Sequence, residues 1–261
     1  MKKLIIFISL IFVLSLPVIA NEVEDFAASY RTYKLVHQSY DTAKNEYLKH
    51  RTLNSQNDSI AKTKDFLIQR NQMLRTYLMA LRYRLHTTFG VDQSDLDNFT
   101  DQLNQEINFI NQNTQRLEAL ATPTLPELFD ISKEIELKQE PYAITSYHIL
   151  STVSYTKVKN LYNQFSHINN QLKTYTDSSS ISYIRNWHNN SLQTQQRIDS
   201  QLEDIKVLVN NWSQAKYDQR TLTKFTNLNN QLETTRQELI RGISYQKEIM
   251  VKLEQEFQNQ K

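Results

Sequence analysis

Cysteine is absent from the chain, and glycine and proline are scarce, at 2 and 4 of 261 residues. Without cysteine there are no disulfides, no thiolate metal sites and no thiol nucleophile. Two glycines leave almost no room for a phosphate-cradling loop, a dinucleotide fingerprint or a G-x-S-x-G turn. Sheet proteins consume Gly and Pro at frequent turns, so this chain is built from few, long elements. Leu, Gln, Asn and Thr are its commonest residues; Leu and Gln, with Lys, Glu and Arg, are good helix formers, although Asn and Thr are not. The expected class is all-α: elongated antiparallel helical bundles with coiled-coil-like packing.

The amino end reads "MKKLIIFISLIFVLSLPVIANEVEDF". Lys2 and Lys3 form a basic start. Leu4 to Leu16 is an apolar run too short to span a bilayer comfortably, and Pro17 breaks it. Val18 and Ala20 place small residues at the −3 and −1 positions of a cleavage site. Residues 1–20 therefore read as a signal peptide cleaved after Ala20, with a retained anchor as the rival reading. No cysteine follows the apolar run, which excludes a lipoprotein anchor, and no later segment is apolar enough to cross a membrane. Lys2 and Lys3 account for the whole formal excess of +2, so the mature chain is neutral. It carries no concentrated basic footprint, and nucleic acid is not an expected partner. The expected location is outside the bacterial cytoplasm: secreted, periplasmic or cell-surface.

Apolar residues repeat at three, four or seven along the rest of the chain, as on the buried stripe of a helix. One ladder is Ile60, Leu67, Leu74, Leu78, Leu81 and Leu85. A second is Leu96, Phe99, Leu103, Ile107, Ile110, Leu117 and Leu120. A third is Val158, Leu161, Phe165, Ile168, Leu172 and Tyr175. A fourth runs from Ile181, Ile184 and His188 to Ile198, Leu202, Ile205, Val209 and Trp212. The last holds Leu222, Phe225, Leu228, Leu232, Leu239, Ile243, Met250, Leu253 and Phe257. Between them lie the breaks. Gly90 suits the left-handed residue just past a helix, with Val91 beyond it. Ser94 is the expected cap of the next helix, with Asp97 in its first turn. Thr124 and Glu127 fit a capping box, with Pro126 in the first turn. Pro141 starts or kinks a helix, "DSSS" at 177–180 interrupts one, and Asp218 is a cap for the last.

This punctuation divides the mature chain into an N-terminal helical bundle or hairpin (21–120), a connector helix (121–140) and a C-terminal three-helix bundle (141–261). The three last helices are expected to be of similar length, roughly 33–38 residues, or about 50–55 Å each. The polar patch at Ser55, Asn57, Asp58 and Ser59 marks either a turn or a stretch that runs through. Residues 22–88 are then either a hairpin or one rod about 100 Å long.

The first helix carries an unusual face. Phe26, Tyr30, Tyr33, His37, Tyr40 and Tyr47 lie on a three-four ladder. Tyrosine has an apolar ring and a polar tip, so at a narrow interface the ring can be buried while the hydroxyl reaches water. Few neighbouring ladder positions carry Leu or Ile. Tyr30, Tyr33, His37, Tyr40 and Tyr47 are therefore read as a packing seam, with an exposed surface for a glycan or a partner helix as the alternative.

No catalytic, cofactor or metal constellation emerges. The six histidines make no H-E-x-x-H motif, and His37 with Asp41 reads as a surface or seam pair. His188, beside Trp187, reads as a partly buried structural histidine. Glu134, Glu136 and Glu140, among Lys133 and Lys138, read as a solvated face. The Asn-x-Ser/Thr sites at Asn57, Asn98, Asn189 and Asn211 are attributed to chance in an Asn-rich chain.

The segment Leu81 to Ile135 carries Leu81-Arg82 with Leu85, the Gly90-Val91 turn, "QEINFI" at 105–110 and "TLPELFDISKEI" at 124–135. It resembles uncharacterised exported helical proteins of candidate-phyla bacteria over about a fifth of the chain. The resemblance implies export and a helical architecture and adds no site. The expected function is non-enzymatic: a structural spacer or a protein-interaction and adhesion module at the cell envelope. Its expected partner is another envelope protein or a second copy. The alternatives are a ligand-binding or sensory-type bundle and an envelope chaperone.

Overall fold

A computed structural model describes residues 21–178 and 181–259. The expected signal peptide at 1–20, Ser179, Ser180 and the side chain of Phe257 lie outside the described residues. Every regular element described is helical: α1 (Asn21–His50), α2 (Leu53–Thr87), α3 (Gln93–Ala119), α4 (Leu125–Glu136), α5 (Gln139–Ser178), α6 (Ser182–Asn210), a 3-10 turn (Asn211–Gln214) and α7 (Thr221–Asn259). None of the described helices is long and apolar enough to cross a membrane.

The helix ends follow local chemistry. Gly90 sits at φ 86°, a conformation that costs glycine nothing and other residues much. The Thr124–Glu127 capping box is formed, with Thr124 N–H donating to Glu127 Oε2 at 2.8 Å and Glu127 N–H to Thr124 Oγ1 at 3.4 Å. Asp218 Oδ1 accepts from Arg220 N–H at 2.9 Å, and α7 begins immediately beyond. Two expected boundaries move. Helix α3 opens at Gln93, and the carbonyl of Asp92 accepts its first turn's bond from Leu96 N–H at 2.9 Å. Asp92, not Ser94, holds the cap position. The break after α1 comes at Arg51, φ 49°, and Thr52. Thr52 and Ser55 exchange backbone-to-hydroxyl bonds at 3.1 and 3.2 Å, so the helix restarts there and runs through the polar patch at 55–59.

The chain forms two compact units. Among the described residues, one comprises 21–83 with Thr100–Glu136; the other comprises Arg84–Phe99 with the described residues from Leu137 to 259. These boundaries differ from 120 and 140, because α4 is packed into the first unit. There α1 and α2 form a hairpin, and α2 runs antiparallel to α3. Lys64 Nζ reaches the Leu120 carbonyl at 2.6 Å, Asn71 Nδ2 reaches Asn113 Oδ1 at 2.8 Å, and Arg82 reaches Asn104 Oδ1 at 2.5 Å. Leu128 and Ile131 of α4 close over Leu67 and Leu117. Asn113 then donates to the Ile131 carbonyl at 3.2 Å, so one buried amide links α2, α3 and α4.

In the second unit α5, α6 and α7 pack as three helices. They are 40, 29 and 39 residues long, α6 being short because its last turn tightens into the 3-10 segment. An apolar cluster around Phe165, Ile198, Leu202 and Leu239 fills one stretch, and Leu172, Ile184, Ile249 and Leu253 fill another. Between them lies a polar layer. The fully buried Asn169 of α5 donates to Gln195 Oε1 of α6 at 2.9 Å. Its Oδ1 accepts from Ser191 Oγ at 2.7 Å and from Gln246 Nε2 of α7 at 2.8 Å. His188, also buried, faces the Asn169 carbonyl with Nε2 at 3.1 Å and Thr176 Oγ1 with Nδ1 at 2.9 Å. A carbonyl only accepts, so Nε2 is the donor to Asn169, while Thr176 Oγ1 also donates to the Lys173 carbonyl at 3.1 Å.

Two substitutions test this packing. Asn169→Leu keeps the branched shape but takes from Ser191 Oγ, Gln195 Oε1 and Gln246 Nε2 the partner that Asn169 supplies, and is expected to cost about 2–4 kcal/mol in chemical denaturation. At Gly242 of α7, a Cβ would lie 2.7 Å from two ring carbons of the buried Phe165. Alanine gains about 1 kcal/mol of helix propensity, and overpacking costs about 1–3. Gly242→Ala should therefore lower the melting temperature, whereas a gain would show that the Phe165 ring swings aside freely.

Candidate functional site

The aromatic face of α1 meets α2 chiefly at one ring, Phe66. Tyr40 stacks on it at 4.8 Å between centroids, His37 meets it edge-on at 5.2 Å, and Tyr33 packs at 5.7 Å. Phe26 rests on Tyr77 at 5.3 Å further along. Tyr30 stacks on Tyr33 at 6.4 Å and remains 41% exposed. Tyr47 stands outside this ring cluster, half-buried on the same helix. His37 also lies 3.1 Å from Asp41, as a half-exposed i,i+4 pair. Of the five seam candidates, the structure thus gathers Tyr33, His37 and Tyr40 on one phenyl ring and leaves Tyr30 and Tyr47 at the margins.

Beneath this contact lies Arg70, whose side chain is only 9% exposed. Its guanidinium donates to Ser132 Oγ at 2.9 Å, and Ser132 donates onward to Glu136 at 2.8 Å. Burial lowers the guanidinium pKa, and Glu136 and Tyr33 oppose that shift. The Tyr33 phenol is raised by burial, while Arg70 pulls it back. Neither Phe66 nor Arg70 stood out in the sequence. Phe66 is one step from ladder residue Leu67, and an arginine inside an apolar ladder has no one-dimensional mark of burial.

Apart from its aromatic face, α1 is held lightly. Ala43 is its only buried residue among those described, while Leu35 and Leu48 are 66% and 55% exposed.

The second unit contains a groove of about 400 Å³. The Gly90 turn and the start of α3 form one wall, bringing Asp92 and Asp95. Helix α5 supplies the floor, with His148, Thr152, Tyr155, Lys159, Asn160 and Asn163. The end of α6 and the turn after it close the far side, with Lys206, Asn210 and Ser213. Asn160 Nδ2 donates to the Phe89 carbonyl at 2.5 Å and so pins the Gly90 turn to α5. The His148 imidazole meets the Phe99 ring edge-on at 4.7 Å, and burial lowers its pKa against the opposing pull of Asp95. The Tyr155 phenol is raised by burial and by Glu203, Asp92 and Asp199. Its neighbour Tyr162 is pushed up to about 12 by burial and Asp199. Sequence reading had no means of finding this groove, because its walls come from segments some 50 to 120 residues apart. Among the described residues, no group of three or more potential ligands is placed to hold a metal ion.

No family model matches the chain, and no curated protein or solved structure matches it either. The fold itself supplies the class: an all-α protein of antiparallel helical bundles.

Phe66 is the ring on which α1 depends. Phe66→Ala should cost about 2 kcal/mol, below the roughly 3–5 of a fully buried phenylalanine. Hydrogen exchange should show α1 losing protection while α5–α7 keep theirs. Tyr33→Ser with Tyr40→Ser should do the same, and unchanged exchange in both variants would refute the packing role of this face.

Proposed function

We propose that the protein is a non-enzymatic, extracytoplasmic helical module that acts as a spacer or as an interaction and adhesion surface at the bacterial cell envelope. The observation that carries this reading is α1. A helix of 30 residues that buries one alanine and rests on a neighbour through aromatic rings leaves most of its surface available. A partner that covered its exposed Leu35 and Leu48 would gain apolar burial. The amino-terminal segment, with its basic start, short apolar run and small residues before Asn21, supports export. The neutral mature composition suits contact with another envelope protein or a second copy better than contact with nucleic acid.

The test replaces Leu35 and Leu48 by Ser together. Both side chains are more than half exposed, so the melting temperature should change little. Co-sedimentation with purified envelope fractions, and self-association in sedimentation velocity, are measured on both proteins. Wild-type binding that the double variant loses supports the reading. A wild-type chain that neither binds envelope material nor self-associates, or a variant that binds equally well, overturns it.

A further inference from the structure

We infer that the groove between the Gly90 turn, α5 and α6 binds a small dipolar molecule carrying both an ammonium and a carboxylate group, as free amino acids and short peptides do. The inference is independent of the reading of α1.

Three observations lead to it. The volume, about 400 Å³, falls in the range of small-ligand sites, roughly 300–1,000 Å³. The walls are set by separate devices. Gly90 turns the chain at φ 86°, and Asn160 ties that turn to α5. Ser213 Oγ donates to the Asn210 carbonyl at 2.7 Å and shapes the opposite rim. The charges are the third observation. Asp92 and Asp95 come from the start of α3 and Lys206 from α6, and among the described residues none of the three forms an ion pair within 4.0 Å.

Opposite charges that share a concave site without touching present a fixed dipole, and the complement of a fixed dipole is a ligand with the reverse one. The carboxylates would take an ammonium, and Lys206 would take a carboxylate, each through charge-assisted hydrogen bonds. Lys159 is less free to contribute, because its ammonium lies over the Tyr162 ring at 4.9 Å. Between the charged ends, His148, Asn163 and Asn210 offer both donors and acceptors, which suits an amide or α-substituent between ligand termini. A ligand with one charge would satisfy one wall and leave the other as it was. The groove's formal charge is balanced, so long-range attraction of a simple ion is weak.

The experiment is two-dimensional NMR and calorimetric titration of the full chain with alanyl-alanine, L-glutamate and L-lysine. Acetate, ethylammonium and glucose serve as single-charge and neutral controls. A dipolar probe should saturate and shift the amides of Asp95, Asn163 and Lys206, and the controls should bind at least about tenfold more weakly. Lys206→Met and Asp95→Asn should each weaken binding by about tenfold or more, the loss of one charge-assisted contact. Glu233→Gln, on the exposed face of α7, should leave it unchanged. Lys206 is exposed and Asp95 only part-buried, so circular dichroism should show the variants folded. The inference is overturned if none of the dipolar probes saturates at millimolar concentration. Equal binding of glucose, or binding insensitive to both groove substitutions, would overturn it as well.

Discussion

Each helical unit depends on a buried asparagine placed where three helices meet. A primary amide inside an apolar seam costs least when its donors and acceptors are all used. Asn169 meets that condition with Gln195, Ser191 and Gln246, contributed by two other helices. Asn113 meets it with Asn71, the Ile131 carbonyl and Glu134. A slip of one helix along another would leave these groups unpaired in a low-dielectric interior. Polar residues at a seam fix register in this way, at a cost in net stability. Long helices with repetitive Leu and Ile ladders have many near-equivalent alignments, and the amide nodes select one.

Helix α1 is built on the opposite principle. It has no amide node and buries a single alanine. Its contact is a set of aromatic rings gathered on Phe66, half in water. Such rings contribute through area and offset stacking rather than through unique pairing. The two kinds of contact divide the work: α3, α4 and α5–α7 are specified by buried polar bonds, and α1 is attached by a more forgiving surface. A protein whose proposed role is contact at the envelope has, in α1, an element it can commit elsewhere at modest cost.

The groove of the second unit arises from the same scarcity of turns that defines the fold. With two glycines in the chain, Gly90 is the one residue placed to reverse the backbone in the left-handed region without strain. Asn160 occupies the space beside it so closely that a Cβ at Gly90 would lie 2.9 Å from its side-chain oxygen. That close approach holds Asp92 and Asp95 against α5. The groove that gathers Asp92, Asp95 and Lys206 thus rests on one glycine and one asparagine.

Much of this was legible in one dimension. Scarcity of Gly and Pro dictates long helices, and the Gly90 stop, the Thr124–Glu127 box and the Asp218 cap are local chemistry that a sequence displays directly. The tyrosine face of α1 was also visible, because a helical period depends only on spacing. The amide nodes left a trace as well. The ladders have gaps of seven between Ile110 and Leu117 and between Ile243 and Met250, and of ten between His188 and Ile198. Those gaps hold Asn113, Gln246 and Ser191, which belong to the polar layers, whereas Asn169 follows ladder residue Ile168 directly and no gap marks it. They passed as ordinary composition because a polar residue at a ladder position looks the same whether it pairs or not. What the sequence determined by itself was therefore everything governed by neighbours a few residues away: helix, cap, stop and stripe. Tertiary structure alone decided the turn at Arg51, the partner ring Phe66, the burial of Arg70 and the meeting of Asp92, Asp95 and Lys206. Each of these depends on groups far apart in the chain, and hydrogen bonding and charge take effect only once packing has brought them within a few ångströms.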